Sequence, residues 1–278
     1  MAGSQPLQAD SAASSLRNRR GLAGRVSVVT GAGGEIGRAI CHRLALEGAR
    51  VISTDRTLDL AEVTAASIRA AGGQSAALVV DVTRQDQLDA IVPFALGQFG
   101  EAPTVAVCCA GIQTFADIFD ISTDQWDRVL DVNARGTFLT MRTVAPAMRA
   151  LGSGAIVAVA SIQGRLGARY YAHYAASKAA VLSVTKSFAV ALAPSGVRVN
   201  SVAPGIVDTV MWREADTQLA RIRGLQPGDP RRERVSQVPL GRPGTPDDVA
   251  SAVAFLASDD ASYMTGECIH VCGGDLML

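Results

Sequence analysis

The chain has 278 residues, 48% of them hydrophobic and 19% charged, a composition typical of a globular protein with a large core. Lys plus Arg and Asp plus Glu both number 26, so no net charge favours binding to nucleic acid or to an anionic membrane surface. No apolar run reaches the roughly 18 residues of a membrane span. We therefore expect neither nucleic acid nor a membrane among the partners.

The number and spacing of the cysteines and histidines indicate the redox compartment and whether a metal site is present. The five cysteines are an odd number, their spacing matches no usual zinc site, and only three histidines could assist. The chain begins with no secretory signal. We expect reduced thiols, a cytoplasmic location and no metal.

The first 23 residues differ in composition from the rest of the chain. They are rich in Ser, Ala and Gln and include Arg17, Arg19 and Arg20. This pattern predicts a disordered extension over 1–23, followed by a single catalytic domain over 24–278.

A strand, a glycine-rich turn and a helix follow the extension. The segment RVSVVT runs into GAGGEIG and then into an amphipathic stretch. Gly31 permits a tight turn, Gly33 or Gly34 lets the backbone approach a ligand, and Gly37 lets the helix pack closely on the strand. A helix that begins in this way offers free N–H groups to a pyrophosphate. The turn therefore predicts a dinucleotide site.

An acidic residue at the end of the second strand strengthens this prediction. Asp55 lies 18 residues beyond Gly37, where a carboxylate accepts hydrogen bonds from the adenosine ribose. A 2′-phosphate about 4 Å from this carboxylate would meet roughly 4 kcal/mol of repulsion per charge. We expect NAD rather than NADP, with Arg56 as the residue that could reverse the preference. The lysine of a P-loop is missing, which disfavours a nucleoside triphosphate.

Strands and helices alternate along the rest of the chain. After strands at 25–30 and 50–55, we expect strands at 75–80, 103–109, 154–160, 197–203 and 267–271, helices at 85–98, 172–192 and 246–258, and an amphipathic stretch at 123–148. Long helices between apolar strands are typical of parallel βαβ units. The fold class is therefore α/β, a Rossmann-type doubly wound, seven-stranded, mainly parallel sheet with helices on both faces.

Residues 206–243 interrupt the alternation. They are polar, contain four prolines and carry a cluster of arginines. We interpret them as an irregular lid on the substrate side of the sheet. A solvated face is the favoured role of the arginines, and contact with an anionic substrate is the alternative.

Tyr174 and Lys178 stand four residues apart and share one face of a predicted helix. An ammonium held near a phenol favours the phenolate, and lowering the tyrosine pKa by about 3 units takes about 4 kcal/mol. Ser161 falls at the carboxyl end of the strand at 154–160, where open α/β sheets bind ligands. The three residues predict an acid–base site.

In family order, these motifs resemble the short-chain dehydrogenase/reductase family over about 24–278. The resemblance implies a catalytic set of Asn133, Ser161, Tyr174 and Lys178. Tyr174 would be the acid–base, Ser161 would bind the reacting oxygen, Lys178 would bind the nicotinamide ribose and lower the tyrosine pKa, and Asn133 would anchor a proton-relay water. The implied cofactor contacts are Gly31, Gly33, Gly34, Ile36, Gly37, Asp55, Asp81, Val82, Ala110, Gly111, Tyr174, Lys178, Pro204, Gly205, Val207 and Thr209.

The chain departs from the family pattern in three places. Glu35 replaces a glycine of the turn, and a carboxylate about 6 Å from a pyrophosphate charge costs on the order of 3 kcal/mol at an effective dielectric near 20. We expect Glu35 to point away, with Gly34 providing the close approach. Cys108 and Cys109 replace two asparagines and are expected to be buried apolar thiols. Cys272 replaces an acid near the carboxyl terminus.

The resemblance implies an NAD(P)-dependent oxidoreductase that interconverts a secondary alcohol and a ketone. Sequence similarity around PGIVDTVMW favours a polyol or sugar alcohol, with Gln113, Gln163 and Trp212 as substrate contacts and Tyr171 and His173 as further hydrogen-bonding candidates. The alternatives are an NADPH-dependent 3-oxoacyl-(acyl carrier protein) reductase and a catalytically silent NAD-binding protein. Family members assemble as dimers or tetramers, so we expect a homodimer or homotetramer.

Overall fold

The computed structural model describes residues 21–277, in which seven parallel strands form one sheet in the order β3-β2-β1-β4-β5-β6-β7. The strands are β1 Val26–Thr30, β2 Arg50–Asp55, β3 Gln74–Val79, β4 Val105–Cys108, β5 Gly154–Val159, β6 Val197–Pro204 and β7 Cys268–Val271. The helices are α1 Glu35–Leu46, α2 Leu58–Ala70, α3 Gln85–Leu88, α4 Ile91–Phe99, α5 Thr123–Leu130, α6 Gly136–Leu151, α7 Ala172–Leu192, α8 Val210–Arg223, α9 Asp229–Ser236 and α10 Pro246–Ala257. The predicted doubly wound fold is confirmed.

The central strands are buried on both faces, which explains their mostly apolar sequences. Adjacent residues of β1 point to opposite faces, so Val28 joins one core cluster and Val29 the other. The first cluster includes side chains of α4, α6 and α7, and the second includes side chains of α1 and α10. These two layers hold the carboxyl ends of all the strands at one edge of the sheet.

Several predicted boundaries were wrong. Leu22, assigned to the extension, is buried in the second core cluster, whereas residues 1–20 of the predicted extension lie outside the described range. The helix expected at 85–98 is two helices, α3 and α4. The stretch expected at 123–148 contains a π-helical turn at Asp131–Arg135 between α5 and α6.

The segment 206–243 is not irregular, because it contains helices α8 and α9. Helix α8 buries Ala215 and Leu219 against Phe115, and Thr209 caps its first turn by accepting the Trp212 N–H at 3.3 Å. Six of the seven arginines in the segment contact carboxylates: Arg213, Arg223, Arg231, Arg232, Arg234 and Arg242. The predicted solvated face therefore describes these arginines only in part, because their side chains form ion pairs within the protein.

Helix α7, extended to Ser195, is apolar and long enough to cross a bilayer by length and composition alone. In the fold it packs against β6 and supplies Val181, Leu182 and Ala189 to the first core cluster. Burial against the sheet accounts for its apolar character.

Candidate active site

A cleft of about 1000 Å³ opens at the carboxyl ends of the strands, where the chain leaves β1 and β4 in opposite directions. Every predicted cofactor, substrate and catalytic residue except Asn133 and His173 lines it. Among residues 21–277, no group of three His, Cys, Asp or Glu side chains is arranged to hold a metal ion.

The glycine turn leaves no room for side chains at its key positions. Gly31 has a φ of +69°, and a Cβ there would lie 2.7 Å from the Ala110 Cα. A Cβ on Gly37 would lie 2.1 Å from the Gly31 carbonyl oxygen. Gly34 is the N-cap of α1 and offers no side-chain cap, so the first N–H groups of that helix remain available to an anion. The turn fits a pyrophosphate.

Gly33, rather than Gly34, is the tightly enclosed glycine. A Cβ on Gly33 would lie 2.7 Å from the Leu60 Cβ, whereas one on Gly34 would meet only the Gly31 carbonyl oxygen, at 3.5 Å. The Gly33 N–H donates to Asp55 Oδ2 at 2.9 Å, and the Arg56 N–H donates to Oδ1 at 2.8 Å. These bonds point the carboxylate toward the turn.

Two arginines line the same end of the cleft as Asp55. Arg38 donates from Nη2 to the Gly33 carbonyl at 3.2 Å, and its buried Nε has no partner among the described residues. The Arg56 side chain is exposed. The adenosine end therefore carries two guanidinium groups beside the carboxylate of Asp55. Sequence reasoning had singled out only Arg56 of these two.

Tyr174, Ser161 and Lys178 converge at the other end. Ser161 follows β5, and its side chain is hydrogen-bonded to Tyr174. Lys178 lies one helical turn beyond Tyr174 on α7, and its Nζ donates to the Val159 carbonyl at 2.9 Å. The same nitrogen lies 5.6 Å from the centroid of the Tyr174 ring. The predicted acid–base trio is therefore assembled in space.

Burial dominates the electrostatics of this trio. It raises the pKa of Tyr174 to about 12, although the side-chain hydrogen bond between Tyr174 and Ser161 acts in the opposite direction. It also lowers the pKa of Lys178 to about 8. The expected lowering of the tyrosine pKa by Lys178 is wrong for the cofactor-free protein. The phenol has lost its hydration, and the lysine ammonium is directed to a backbone carbonyl.

Asn133 lies in the wall of the cleft within the π-helical turn and is fully buried. Its Oδ1 accepts the Ile112 N–H at 2.8 Å, and its Nδ2 donates to the Ile112 carbonyl at 2.9 Å and to Ser177 Oγ at 3.0 Å. Its side chain thus ties the loop after β4 to α7. The role of this residue in anchoring a water stays a prediction.

Glu35 lines the cleft at the first position of α1, but its carboxylate reaches across to the start of α8. Its Oε2 accepts the Val210 N–H at 2.5 Å, and its Oε1 lies 3.4 Å from Arg213 Nη2. The carboxylate therefore links the start of α1, which lines the cleft, to the start of α8.

The two cysteines at the end of β4 are protonated apolar groups. Burial raises the pKa of Cys108 and of Cys109 to about 12. Thr30 Oγ1 accepts the N–H groups of Cys109, at 3.1 Å, and Ala110, at 3.3 Å. This threonine anchors the strand end where the family has asparagine side chains.

At the substrate end, Gln113, Gln163, Tyr171 and Trp212 line the cleft. His173 does not: it is fully buried, its Nε2 lies 2.5 Å from Thr114 Oγ1, and burial lowers its pKa. The structure adds Arg234 to the lining, and this residue is paired with Asp275. No motif in the sequence pointed to Asp275.

Known proteins resemble the chain over nearly its whole length. A family model described as enoyl-(acyl carrier protein) reductase matches residues 31–275. Galactitol 2-dehydrogenase of Agrobacterium fabrum is 38% identical, with 92% of this chain and 99% of that protein covered. Human (3R)-3-hydroxyacyl-CoA dehydrogenase is 36% identical, with 95% and 100% covered.

A solved structure gives the same picture. It is a candidate NAD(P)-dependent gluconate 5-dehydrogenase from Beutenbergia cavernae with bound NADP at low occupancy, 38% identical, with a TM-score of 0.80 and 91% and 97% of the two chains covered. The matches and the cleft agree on a common chemistry at CH–OH groups with a nicotinamide dinucleotide. The chain therefore belongs to the short-chain dehydrogenase/reductase family of NAD(P)-binding oxidoreductases.

Proposed function

We propose that the protein is an NAD-dependent dehydrogenase that interconverts a secondary alcohol and a ketone, with a polyol or sugar alcohol as substrate. The observation that carries the proposal is the convergence of Tyr174, Ser161 and Lys178 in one cleft with a glycine turn that fits a dinucleotide. The turn supplies anion-binding N–H groups, and the trio supplies a proton path.

The lining also fits the nicotinamide ribose. A Cβ on Gly111 would lie 3.5 Å from Lys178 Nζ, so the bare backbone leaves space beside the ammonium. A bound nicotinamide accepts a hydride from the alcohol carbon or returns it to the ketone. The protein contributes placement and proton transfer.

In the reduction direction, the raised pKa keeps Tyr174 protonated at neutral pH, so its Oη holds the proton that the forming alkoxide needs. Ser161 Oγ donates to the Pro204 carbonyl at 3.4 Å, a weak bond that leaves it free to donate to the reacting oxygen. In the oxidation direction, Tyr174 acts as the phenolate, which a cationic Lys178 stabilises.

Asp55 supports NAD as the cofactor, because it places a carboxylate where a 2′-phosphate would lie. Its two backbone hydrogen bonds hold it in that position. Arg38 and Arg56 at the same end oppose this preference.

The polar lining at the substrate end supports a hydroxylated substrate, since Gln113, Gln163 and Tyr171 all carry hydrogen-bonding groups there. Similarity to a galactitol 2-dehydrogenase supports the same choice. The alternative is a 3-oxoacyl or 3-hydroxyacyl thioester, which similarity to a hydroxyacyl-CoA dehydrogenase supports.

The test is a screen of NAD reduction with sugar alcohols, hydroxy acids, apolar secondary alcohols and 3-hydroxyacyl thioesters, repeated with Tyr174→Phe. We expect a polyol to be the best substrate and the variant to lose at least about 10²-fold in kcat. Binding of NADH, followed by fluorescence titration, should stay unchanged in the variant. Preferred turnover of thioesters would contradict the polyol, and full turnover by the variant would contradict the role of Tyr174.

The proposal includes a cytoplasmic homodimer or homotetramer. The five cysteines support a reducing compartment, since none forms a disulfide. Light scattering coupled to size-exclusion chromatography tests the assembly, and a monomer would contradict it.

A further inference from the structure

Beyond Tyr174 the cleft continues along Tyr171 to Arg234 of α9. The rings of Tyr171 and Tyr174 meet edge to face with their centroids 6.4 Å apart, so Tyr171 lies immediately outside the acid–base site. On its other side Tyr171 packs edge to face on Phe115 at 5.5 Å. The position of its ring is thereby fixed from both sides.

Arg234 reaches this wall as half of an ion pair. Its Nη2 lies 2.7 Å from Asp275 Oδ2, and its Nη1 donates to Gln237 Oε1 at 2.7 Å. The Asp275 side chain is only 6% exposed and that of Arg234 26%, whereas the side chains of the Arg213–Asp208 pair nearby are 51% and 42% exposed. A buried ion pair is seldom more stabilising than apolar residues of the same volume. Arg234 of this pair lines the ligand cleft, so the pair points to recognition.

Two hydrogen-bond donors in the lining of the same cleft have no partner among the described residues. The Trp212 Nε1 is buried without an acceptor. No protein group in the described range hydrogen-bonds the Tyr171 hydroxyl, which stays protonated because burial raises its pKa. Arg234 and Asp275 act on that pKa in opposite directions, which is consistent with both lying close to the ring. Buried donors without partners indicate a ligand with acceptors.

The charges at this wall select among ligand classes. Arg234 and Asp275 cancel, so an anionic group would gain an arginine but face a carboxylate. An alkyl chain would leave both free donors without hydrogen bonds. A neutral chain of hydroxyl groups accepts from Tyr171 and from Arg234, which Asp275 holds in place.

We infer that Arg234, positioned by Asp275, and Tyr171 form a subsite that binds the hydroxyl groups of a neutral polyol beyond its reacting carbon. This inference rests on the proposed function, of which it specifies the substrate recognition. Asp275 lies in the turn that follows β7. The last described residues of the chain therefore take part in substrate selection.

The test compares Tyr171→Phe and Asp275→Asn with the parent protein. Both changes keep side-chain volume and remove one hydrogen-bonding function each. The control is Glu233→Gln, which removes an ion pair of the same helix with Arg223, outside the cleft. The measurements are kcat and KM for a hexitol and for a secondary alcohol with a single hydroxyl group.

We expect the ratio of kcat/KM for the hexitol to that for the monohydroxy alcohol to fall about tenfold in both variants, mainly through KM, as for the loss of a hydrogen bond to a buried group. The ratio should be unchanged in Glu233→Gln. An unchanged ratio in both cleft variants, or an equal loss on both substrates, would overturn the subsite and leave the polyol dehydrogenase intact. Oxidation of the monohydroxy alcohol but of no polyol by the parent would overturn both.

Discussion

At the scale of single residues, Lys178 is the most consequential charge in the cleft. It is 5% exposed, and its only hydrogen bond among the described residues is to the Val159 carbonyl. Burial lowers its pKa to about 8, from 10.5 for a free lysine. At neutral pH the protein therefore holds a poorly solvated cation, which reduces stability before cofactor binds.

The first prediction follows from this lowered pKa. Between about pH 8 and pH 10.5 the unfolded chain keeps a proton that the folded chain has released, so stability rises with pH in that window. The penalty is complete below pH 8. We expect Lys178→Met to be more stable than the parent at pH 7 by up to about 3 kcal/mol, a difference that shrinks by about 2 kcal/mol at pH 9.5.

Urea unfolding of the cofactor-free protein at the two pH values measures the effect. Lys186→Met is the matched control, because Lys186 is exposed on the same helix. A constant difference between parent and Lys178→Met at the two pH values would show that burial does not lower the pKa of this lysine. Tyr174 does not interfere, since its own raised pKa reduces stability only above about pH 10.

The second prediction concerns cofactor choice. Asp55→Ala removes the carboxylate that would repel a 2′-phosphate, a repulsion of roughly 4 kcal/mol per charge. We expect the preference for NAD over NADP, measured as the ratio of the two kcat/KM values, to fall at least about 100-fold. Arg56→Ala is the opposite control and should increase the ratio. A parent protein that already prefers NADP would show that Arg38 and Arg56 outweigh Asp55.

At the scale of elements, Glu35 connects two helices across the cofactor cleft. It is the first residue of α1, and it accepts the N–H of Val210, the first residue of α8. An acid at the start of a helix is stabilising, and here one carboxylate serves two helix starts. The same carboxylate lies in the wall that would face a pyrophosphate. Glu35 therefore stabilises the starts of the two helices but disfavours binding of the pyrophosphate.

The third prediction separates these effects. Glu35→Gln removes the charge but keeps an acceptor for the Val210 N–H, so we expect NADH to bind about 3- to 10-fold more tightly with little change in substrate KM. Glu35→Gly removes both the charge and the acceptor. This variant should bind NADH more tightly, but its substrate KM should rise several-fold because the first turn of α8 loses its hydrogen bond to α1. NADH fluorescence titration and steady-state kinetics measure both quantities.

Asp208→Asn is the control for Glu35, because Asp208 also pairs with Arg213, at 3.2 Å, but lies outside the cleft lining. Its effect on NADH binding should be negligible. Weaker NADH binding in Glu35→Gln would show that the carboxylate contributes to the cofactor site.

Elements of the sheet could be predicted from sequence, whereas those of the lid could not. The buried strand β1 is mostly apolar, β5 is an unbroken apolar run, and α7 was predicted with its observed bounds. Helix α9 reads DPRRERVS and buries only Pro230, so no apolar periodicity marks it. The π-helical turn that holds Asn133 has no sequence pattern of its own.

At the scale of the whole molecule, the cleft is assembled from both halves of the sheet. Residues at the ends of β1 and β2 form its adenosine end, and residues that follow β4, β5 and β6 form its catalytic end. A dinucleotide in this cleft would contact both halves. Its binding energy therefore acts against unfolding of the entire sheet.

The fourth prediction is a large thermal shift. NADH at 100 times its Kd stabilises the folded state by about 2.7 kcal/mol, and each kcal/mol raises the Tm of a protein of this size by about 2–4 °C. We expect a rise of about 5–10 °C in scanning calorimetry. Tyr174→Phe should show the same rise, since it keeps the cofactor contacts. A parent protein whose Tm does not respond to either nicotinamide cofactor would not have a dinucleotide site.

Across the whole chain, the sequence predicted the motifs and their order but not their long-range partners. Glycine spacing and the positions of Ser161, Tyr174 and Lys178 are local patterns, and the local backbone fixes the geometry of each. Glu35 meets Val210 across 175 residues, and Arg234 meets Asp275 across 41. Such contacts depend on how the sheet brings distant loops together, and no local pattern encodes them.

The position of β1 in the sheet also determines how long this strand remains without its neighbour β4 while the protein is synthesised. Ser27 of β1 pairs with Val105 of β4, 78 residues later in the chain. At a translation rate of about 5–20 residues per second, β4 leaves the ribosome roughly 4–16 seconds after β1. During that interval a strand destined for the centre of the sheet has one edge and much apolar surface unpaired. Chaperones that bind nascent chains would find their most persistent target in this first strand.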